Sequence, residues 1–287
     1  MKKIFLMLIL ITTLCMVGCF QNKESNDERL RIIKIQSKVL NKVMTSQVYL
    51  PMGYDNTKKF PVLYFLPSNG GSSYTVIDKF GITDSIDRLV KNNQIIPMII
   101  VALGIDNSFG INSNKETKRF KTKSEKSFDE GMYEDYIITE AIPYIDEHFN
   151  TNTSKEGRYI GGYSMGGFAS LHIAFRHPNL FNKVGGHSPS LFIKDFPDHS
   201  VSDWLYPNEY IRSNRDPIMI AQSTDLTDLS IYLDTDVDGV NVDGCKELFK
   251  ILSKKGIKVK FELFPGTHSF GYCYNNMDKY LLFYGSE

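Results

Sequence analysis

Gly162-Tyr163-Ser164-Met165-Gly166 sets a serine between two glycines, each two residues away. The chemistry this spacing offers is acyl transfer through a serine nucleophile. By composition alone the pattern arises about once in ten chains of this length, so its context carries the weight. Residues 157–162 read as a strand and residues 165–176 as a helix. A serine in the sharp turn between them sits in strained backbone, and the glycines let strand and helix pass closely. The helix would point free N–H groups and the positive end of its dipole at the place where an oxyanion forms.

A serine hydroxyl is a poor nucleophile until a base takes its proton. The chain has six histidines. With a serine on such an elbow, the chain order is serine, acid, histidine. His148 precedes the serine. His172 and His177 lie in or just after the elbow helix, as surface or packing residues. His187 and His199 come before any acid on a later strand, and His187 is expected to line the site without being the base. His268 remains, in Phe264-Pro265-Gly266-Thr267-His268-Ser269-Phe270, a loop after the last predicted strand.

The acid should follow the strand before that one, residues 230–235, which leads into Asp234, Asp236 and Asp238, with Asp243 beyond. Asp238 is the first choice: it lies past the strand's end and before Gly239, where a loop can turn a carboxylate toward His268. Asp236 is second. The acid's work is to fix the imidazole tautomer and stabilise the imidazolium. Asp234 to Gly239 also matches the first half of a calcium loop. Its twelfth position is Cys245 instead of Glu, and a strand, not a helix, precedes it, so no EF-hand is expected.

The elements that must position these residues alternate. Residues 31–36 and 45–50 read as an antiparallel pair. Residues 61–66 and 95–103 are continuous apolar runs, as in strands covered on both faces. Residues 82–89 have helical spacing. Residues 134–149 read as an amphipathic helix that Pro143 should kink. Strands follow at 183–186, 230–235 and 257–264, and helices at 245–254 and 277–284. Strands alternating with helices imply a mostly parallel central sheet with helices on both faces, whose chemistry sits beyond the carboxyl ends of the strands. Residues 104–131 and 192–217 are long connections of the kind that form lids or binding loops. The first carries Lys115, Lys118, Arg119, Lys121, Lys123 and Lys126 and is read as a solvated surface loop.

The chain has 287 residues, with 33 basic against 33 acidic side chains. That balance gives no global charge for nucleic acid. Lys2 and Lys3 followed by the apolar run 4–17 have signal-peptide proportions. The run ends in Met16-Val17-Gly18-Cys19, similar to a bacterial lipobox. Residues 1–18 are therefore expected to be a lipoprotein signal peptide and Cys19 the site of lipid attachment. Residues 19–29 would be a polar tether and residues 30–287 one domain, anchored to the cell membrane and facing outside. Of the four cysteines, Cys245 and Cys273 would remain, either paired or as two buried thiols.

These pieces together resemble the putative-esterase family of α/β-hydrolases, which includes esterase D, feruloyl and acetyl-xylan esterases, enterochelin esterase and the mycolyltransferases. The likeness runs from Ser37-Lys38-Val39-Leu40-Asn41 and Val48-Tyr49-Leu50-Pro51 through Phe60-Pro61-Val62-Leu63-Tyr64 and Tyr144-Ile145-Asp146. It is strongest at residues 161–167, with Pro178 and Phe181, and at Pro265-Gly266-Thr267-His268. The resemblance implies an α/β-hydrolase fold and a triad on Ser164, Asp238 and His268. It implies the backbone N–H groups of Asn69 and Met165 as oxyanion donors, with neither cofactor nor metal. The implied activity is a serine carboxylesterase, working through an acyl-enzyme on an extracellular substrate: a polysaccharide acetyl or feruloyl ester, or a siderophore lactone. One departure stands out. Where the family has His-Gly after the third strand, this chain has Pro67-Ser68. Proline has no N–H, and a serine resists glycine-only geometry. A displaced loop would cost one oxyanion donor, worth about 10²–10³ in kcat. That departure sustains one alternative, a ligand-binding surface lipoprotein without catalysis; an acyltransferase is another, because transfer to a non-water acceptor passes through the same acyl-enzyme.

Overall fold

The structure, a computed structural model, describes residues 28–122, 125, 127–194 and 196–286. The expected signal segment, Cys19 and most of the tether lie outside the described residues. The chain begins with the antiparallel strands β1 (Leu30–Ser37) and β2 (Lys42–Tyr49). Then come β3 (Val62–Leu66), α1 (Ser73–Lys79), α2 (Ile82–Lys91) and β4 (Ile99–Ala102). A separate hairpin, β5 (Lys118–Lys121) and β6 (Ser127–Glu130), precedes a helical stretch of α3 (Tyr133–Asp135), a π-helical segment (Tyr136–Ala141) and α4 (Ile142–His148). Next are β7 (Arg158–Tyr163), α5 (Met165–Arg176), β8 (Lys183–His187) and the short helices α6 (His199–Leu205), α7 (Glu209–Arg215) and α8 (Pro217–Ser223). The chain closes with β9 (Ser230–Asp236), α9 (Val242–Lys254), β10 (Val259–Phe264) and α10 (Phe270–Gly285).

Eight strands form one sheet in the order β1-β2-β4-β3-β7-β8-β9-β10. From β4 to β10 every neighbouring pair is parallel, while β2 runs against both of its neighbours. The period of two along β3 divides the core. Val62, Tyr64 and Leu66 face a cluster that includes Phe168, Leu171 and Phe175 of α5. Leu63 and Phe65 face another that includes Ile86 of α2 and Tyr280 and Tyr284 of α10. Both faces are dry, which is why β3 reads as an unbroken apolar run instead of an alternation.

The path reverses at β3. Its next sheet neighbour in the chain, β4, lies on one side, and β7 lies on the other. The carboxyl ends of β3 and β7 therefore flank a topological switch point, the crevice where open α/β sheets hold their ligands. Residues 67–71 leave β3 there and Ser164 leaves β7 there.

The helix expected over 134–149 forms, with a change of pitch before Pro143. Pro143 has no N–H and its ring crowds the carbonyl one turn back. The preceding turn widens, and Ile142 donates its amide to the carbonyl of Ile137, five residues back. The long connection 104–131 is no plain loop. It contains the β5–β6 hairpin, where Lys118 meets Glu130 and Arg119 meets Asp129. Lys123 and Lys126 lie outside the described residues. Connection 192–217 holds α6 and α7. Trp204 of α6 stacks on Phe128 at 5.1 Å and Phe120 at 6.3 Å and donates to Glu130, so the hairpin and α6 form one cap. Cys245 and Cys273 are both buried free thiols. They belong to the cores on opposite faces of the sheet, so they do not pair.

Candidate active site

Ser164 has φ 59° and ψ −116°, a sparsely populated conformation costing about 1–3 kcal/mol. The surroundings over-determine it. Its amide donates to the carbonyl of His187 at 2.9 Å, and its carbonyl accepts from Ser190 at 3.1 Å and Phe168 at 3.0 Å. The helix behind it buries Phe168, Leu171, Ile173 and Phe175 completely, each contributing about 1.5–3 kcal/mol. Set against that, the strain is small. The flanking glycines are needed for space. A β-carbon on Gly162 would lie 2.5 Å from the backbone of Gly166, and one on Gly166 would lie 2.2 Å from the carbonyl oxygen of Leu66.

His268 stands on the loop between β10 and α10. Gly266 turns that loop with φ 133°, and Ser269 caps α10 by accepting from the amide of Tyr272. The imidazole stacks on Tyr163 with ring centres 4.9 Å apart. Its Nε2 lies 2.7 Å from Ser164 Oγ. Although the residue is exposed at the loop crest, the nitrogen-bearing edge is turned inward. Burial pushes its pKa below the ordinary histidine value, with the charge of Asp236 pulling the other way. That shift favours the neutral imidazole at pH 7, the form able to accept a proton.

The structure does not bring Asp238 to His268. β9 extends to Asp236, and Gly239 then closes a turn by donating to the carbonyl of Asp236 at 3.1 Å. That turn leaves Asp238 exposed on its outer side, without a hydrogen bond among the described residues. The carboxylate facing the histidine is that of Asp236, which is 3% exposed. Gly239 makes room for it, since a β-carbon there would fall 2.3 Å from Asp236 Oδ2. Between Asp236 and His268 stands Ser188, a residue that sequence reasoning missed. Its Oγ is 2.9 Å from His268 Nδ1 and 3.2 Å from Asp236 Oδ1. Asn241 Nδ2 lies 3.5 Å from the same Nδ1.

The remaining acids and histidines have other work. Asp234 is fully buried and accepts from Tyr272 and Tyr280 hydroxyls at 2.8 and 3.0 Å. His187, expected to line the site, is also fully buried. It pairs with Asp234 at 2.7 Å and with the Tyr284 hydroxyl at 3.0 Å, and stacks on Tyr280 at 3.6 Å. The network ties α10, and so the His268 loop, to the sheet. His172 and His177 join Arg176 around Glu134. Burial works against the charge of Glu134, and these hydrogen bonds overcome it, holding its carboxyl well below the usual range. Asp243 sits in the first turn of α9 and His199 in the first turn of α6.

Asn69 and Met165 both border a cavity of about 310 Å³ that also opens onto His268. Met165 is the first residue of α5, so its amide has no partner within the helix. Among the described residues, neither Asn69 nor Met165 gives its amide to a protein acceptor. Ser68 is not asked to take glycine-only geometry in this loop. The left-handed position falls on Gly70, with φ 73°, and not on Ser68. Gly71 closes the turn on the carbonyl of Ser68 at 2.9 Å. Gly70 donates to Asn107 Oδ1 at 2.7 Å, which fastens the loop to the chain beyond β4. The cavity walls are largely aromatic: Phe109, Phe128, Phe192 and Phe196, with Ser190, Asp198 and Asn241 among the polar members.

Comparison with known proteins bears on this constellation. An endo-1,4-beta-xylanase/feruloyl esterase of Xylanibacter ruminicola is 32% identical over 170 residues, covering 57% of this chain and 22% of that protein. The chain thus spans about a fifth of the length of that relative. The uncharacterized protein YjcH of Bacillus subtilis is 27% identical over 250 residues, covering 83% of this chain and 90% of the other. A solved ferulic acid esterase superposes with a TM-score of 0.74 at 23% identity, covering 89% of this chain and 97% of that one. That likeness shows the α/β-hydrolase fold. The family described as "Putative esterase" matches residues 37–283, nearly the whole of the described chain, and the chain belongs to that family.

Proposed function

We propose that the chain is a serine carboxylesterase working through an acyl-enzyme. The observation that carries this reading is the 2.7 Å contact between Ser164 Oγ and a neutral His268 Nε2, made by a serine held at φ 59°. In the first half-reaction Ser164 Oγ bonds to the ester carbonyl carbon and its proton passes to His268 Nε2. The carbonyl oxygen takes up negative charge against the Asn69 and Met165 amides. On collapse the carbon–oxygen bond to the alcohol breaks, and the alcohol leaves with the proton from Nε2. Water then repeats the sequence and releases the acid. Asp236 supplies the carboxylate that favours the imidazolium.

The substrate class follows from the cavity. A volume of about 310 Å³ is at the low end for small-molecule sites, roughly 300–1,000 Å³. It suits one ring-sized acyl group, not a polymer, and its aromatic walls favour a planar aromatic acid. Hydroxycinnamoyl esters of polysaccharides fit, with the sugar outside. The names of the xylanase/feruloyl esterase and the ferulic acid esterase point the same way. The signal-like residues 2–19 support a lipid anchor at Cys19 and an extracellular polysaccharide substrate.

The test is steady-state and burst kinetics of the full-length chain in detergent micelles with p-nitrophenyl acetate and methyl ferulate. A stoichiometric p-nitrophenol burst and a higher kcat/KM for methyl ferulate support the reading. No turnover of either ester by folded protein refutes it.

A further inference from the structure

We propose that the Ser188 hydroxyl is a positioning group that links His268 to Asp236, so that the acid acts on the base through a serine and not by direct contact. This rests on the esterase reading above. His268 Nε2 faces Ser164 Oγ at 2.7 Å. To act as base it must be unprotonated there, so the neutral ring carries its proton on Nδ1. The atom 2.9 Å from Nδ1 is Ser188 Oγ. Among the described residues no hydrogen bond joins His268 to Asp236 directly. Ser188 Oγ is in turn 3.2 Å from Asp236 Oδ1.

A hydroxyl has one hydrogen and two lone pairs, and an ionised carboxylate only accepts. One orientation satisfies both neighbours: Nδ1–H donates to Ser188 Oγ, and Ser188 O–H donates to Asp236. The second lone pair of Oγ faces Thr235 Oγ1 at 3.3 Å. The groups around the imidazole are Ser164, Tyr163, Ser188, Asn241 and Asp236, and Asp236 supplies the charge acting on it. Asp198 lines the same cavity.

The backbone at 188 supports a role for the side chain. Ser188 is fully buried with φ 41°, a left-handed conformation that favours glycine. Its amide donates to the carbonyl of Asp234 at 2.8 Å, and its carbonyl accepts from Asn241 Nδ2 at 3.4 Å. The backbone alone would be better served by glycine. The β-carbon and hydroxyl are retained where they meet the histidine.

The experiment compares Ser188→Gly, Ser188→Ala, Asp236→Asn and the double variant Ser188→Gly/Asp236→Asn with wild type. Its readouts are Tm, kcat, KM and the pH profile on p-nitrophenyl acetate. The relay predicts a Tm for Ser188→Gly equal to or above wild type, with kcat down about 10- to 100-fold. That is part of the 10²–10⁴ a general base supplies. KM should hold, and the acid limb should move to lower pH because the imidazolium loses its acceptor. Because the two groups act in series, the double variant should be no slower than Asp236→Asn. Wild-type kcat and pH profile in Ser188→Gly, or losses that multiply in the double variant, would overturn the relay. Ser188→Ala reports the same loss should the glycine variant fold poorly. If wild type itself hydrolyses no ester, the esterase reading falls and the relay with it. If wild type turns over and Ser188→Gly matches it, only the relay falls.

Discussion

Replacing Gly239 with alanine tests which carboxylate serves the histidine, without touching any polar atom. A β-carbon at 239 would lie 2.3 Å from Asp236 Oδ2, 2.5 Å from Cγ and 2.6 Å from Oδ1. Ordinary van der Waals contact begins near 3.4 Å, so the carboxylate must retreat by about 1 Å or swing away. A misplacement of that size costs on the order of 10²-fold in rate. Gly239 is not one of the residues with a left-handed backbone, so alanine brings no backbone strain of that kind. The loss should therefore fall on kcat, with Tm lowered by only a few degrees. Steady-state kinetics on p-nitrophenyl acetate, with a thermal melt of each protein, reads both. Asp238→Asn is the matched control, and its exposed side chain predicts kcat within about twofold of wild type. Wild-type kcat in Gly239→Ala, together with a collapse in Asp238→Asn, would refute the reasoning and return the acid to Asp238.

Three further outcomes follow from named contacts. Burial disfavours the His268 imidazolium more than the Asp236 charge favours it. Catalysis needs the neutral base, so kcat/KM should fall with decreasing pH through a midpoint below the ordinary ~6.5. Asp236→Asn should carry that midpoint lower still, and a wild-type limb above 6.5 contradicts the account. Ser68 Oγ is buried without a partner among the described residues, so Ser68→Ala should leave kcat intact and raise stability by up to about 1 kcal/mol in denaturant titration. A clear fall in stability would mean the hydroxyl has a partner. Phe192→Ala removes an aromatic wall of the cavity. It should lower the kcat/KM ratio of methyl ferulate over p-nitrophenyl acetate about 10-fold, and an unchanged ratio would move the acyl group elsewhere.

The sheet was legible where burial left one solution. The run 61–66 became β3, and the elbow helix begins at Met165 and ends at Arg176 as expected. The double-sided core allows only apolar strands, and the helix follows from a glycine-flanked turn. The two connections that form the cap were marked as lids or binding loops, but the elements inside them were not legible. α6, α7 and the β5–β6 hairpin are held by Trp204, Phe120 and Phe128 across large sequence separations, and no local period announces such contacts. α1 was missed as well, being a single short segment of seven residues. The carboxylate that lies toward His268 is that of Asp236 and not Asp238, and a cluster of aspartates does not say where the strand ends. One signal was available: Tyr232, Asp234 and Asp236 alternate, which places Asp236 on the same face as the buried Asp234. Ser188 had no signal, since a hydroxyl that joins two residues 48 and 80 positions away exists only in the fold.

The central claim is that Ser164 is an activated nucleophile, and covalent labelling addresses it most directly. The full-length chain in detergent micelles would be treated with a fluorophosphonate, followed by intact mass and peptide mapping, beside Ser164→Ala and His268→Ala. The account predicts rapid, single-site modification of wild type at Ser164, none in Ser164→Ala, and a large loss of rate in His268→Ala. Folded wild type that stays unmodified, or modification at another serine that survives Ser164→Ala, would contradict it.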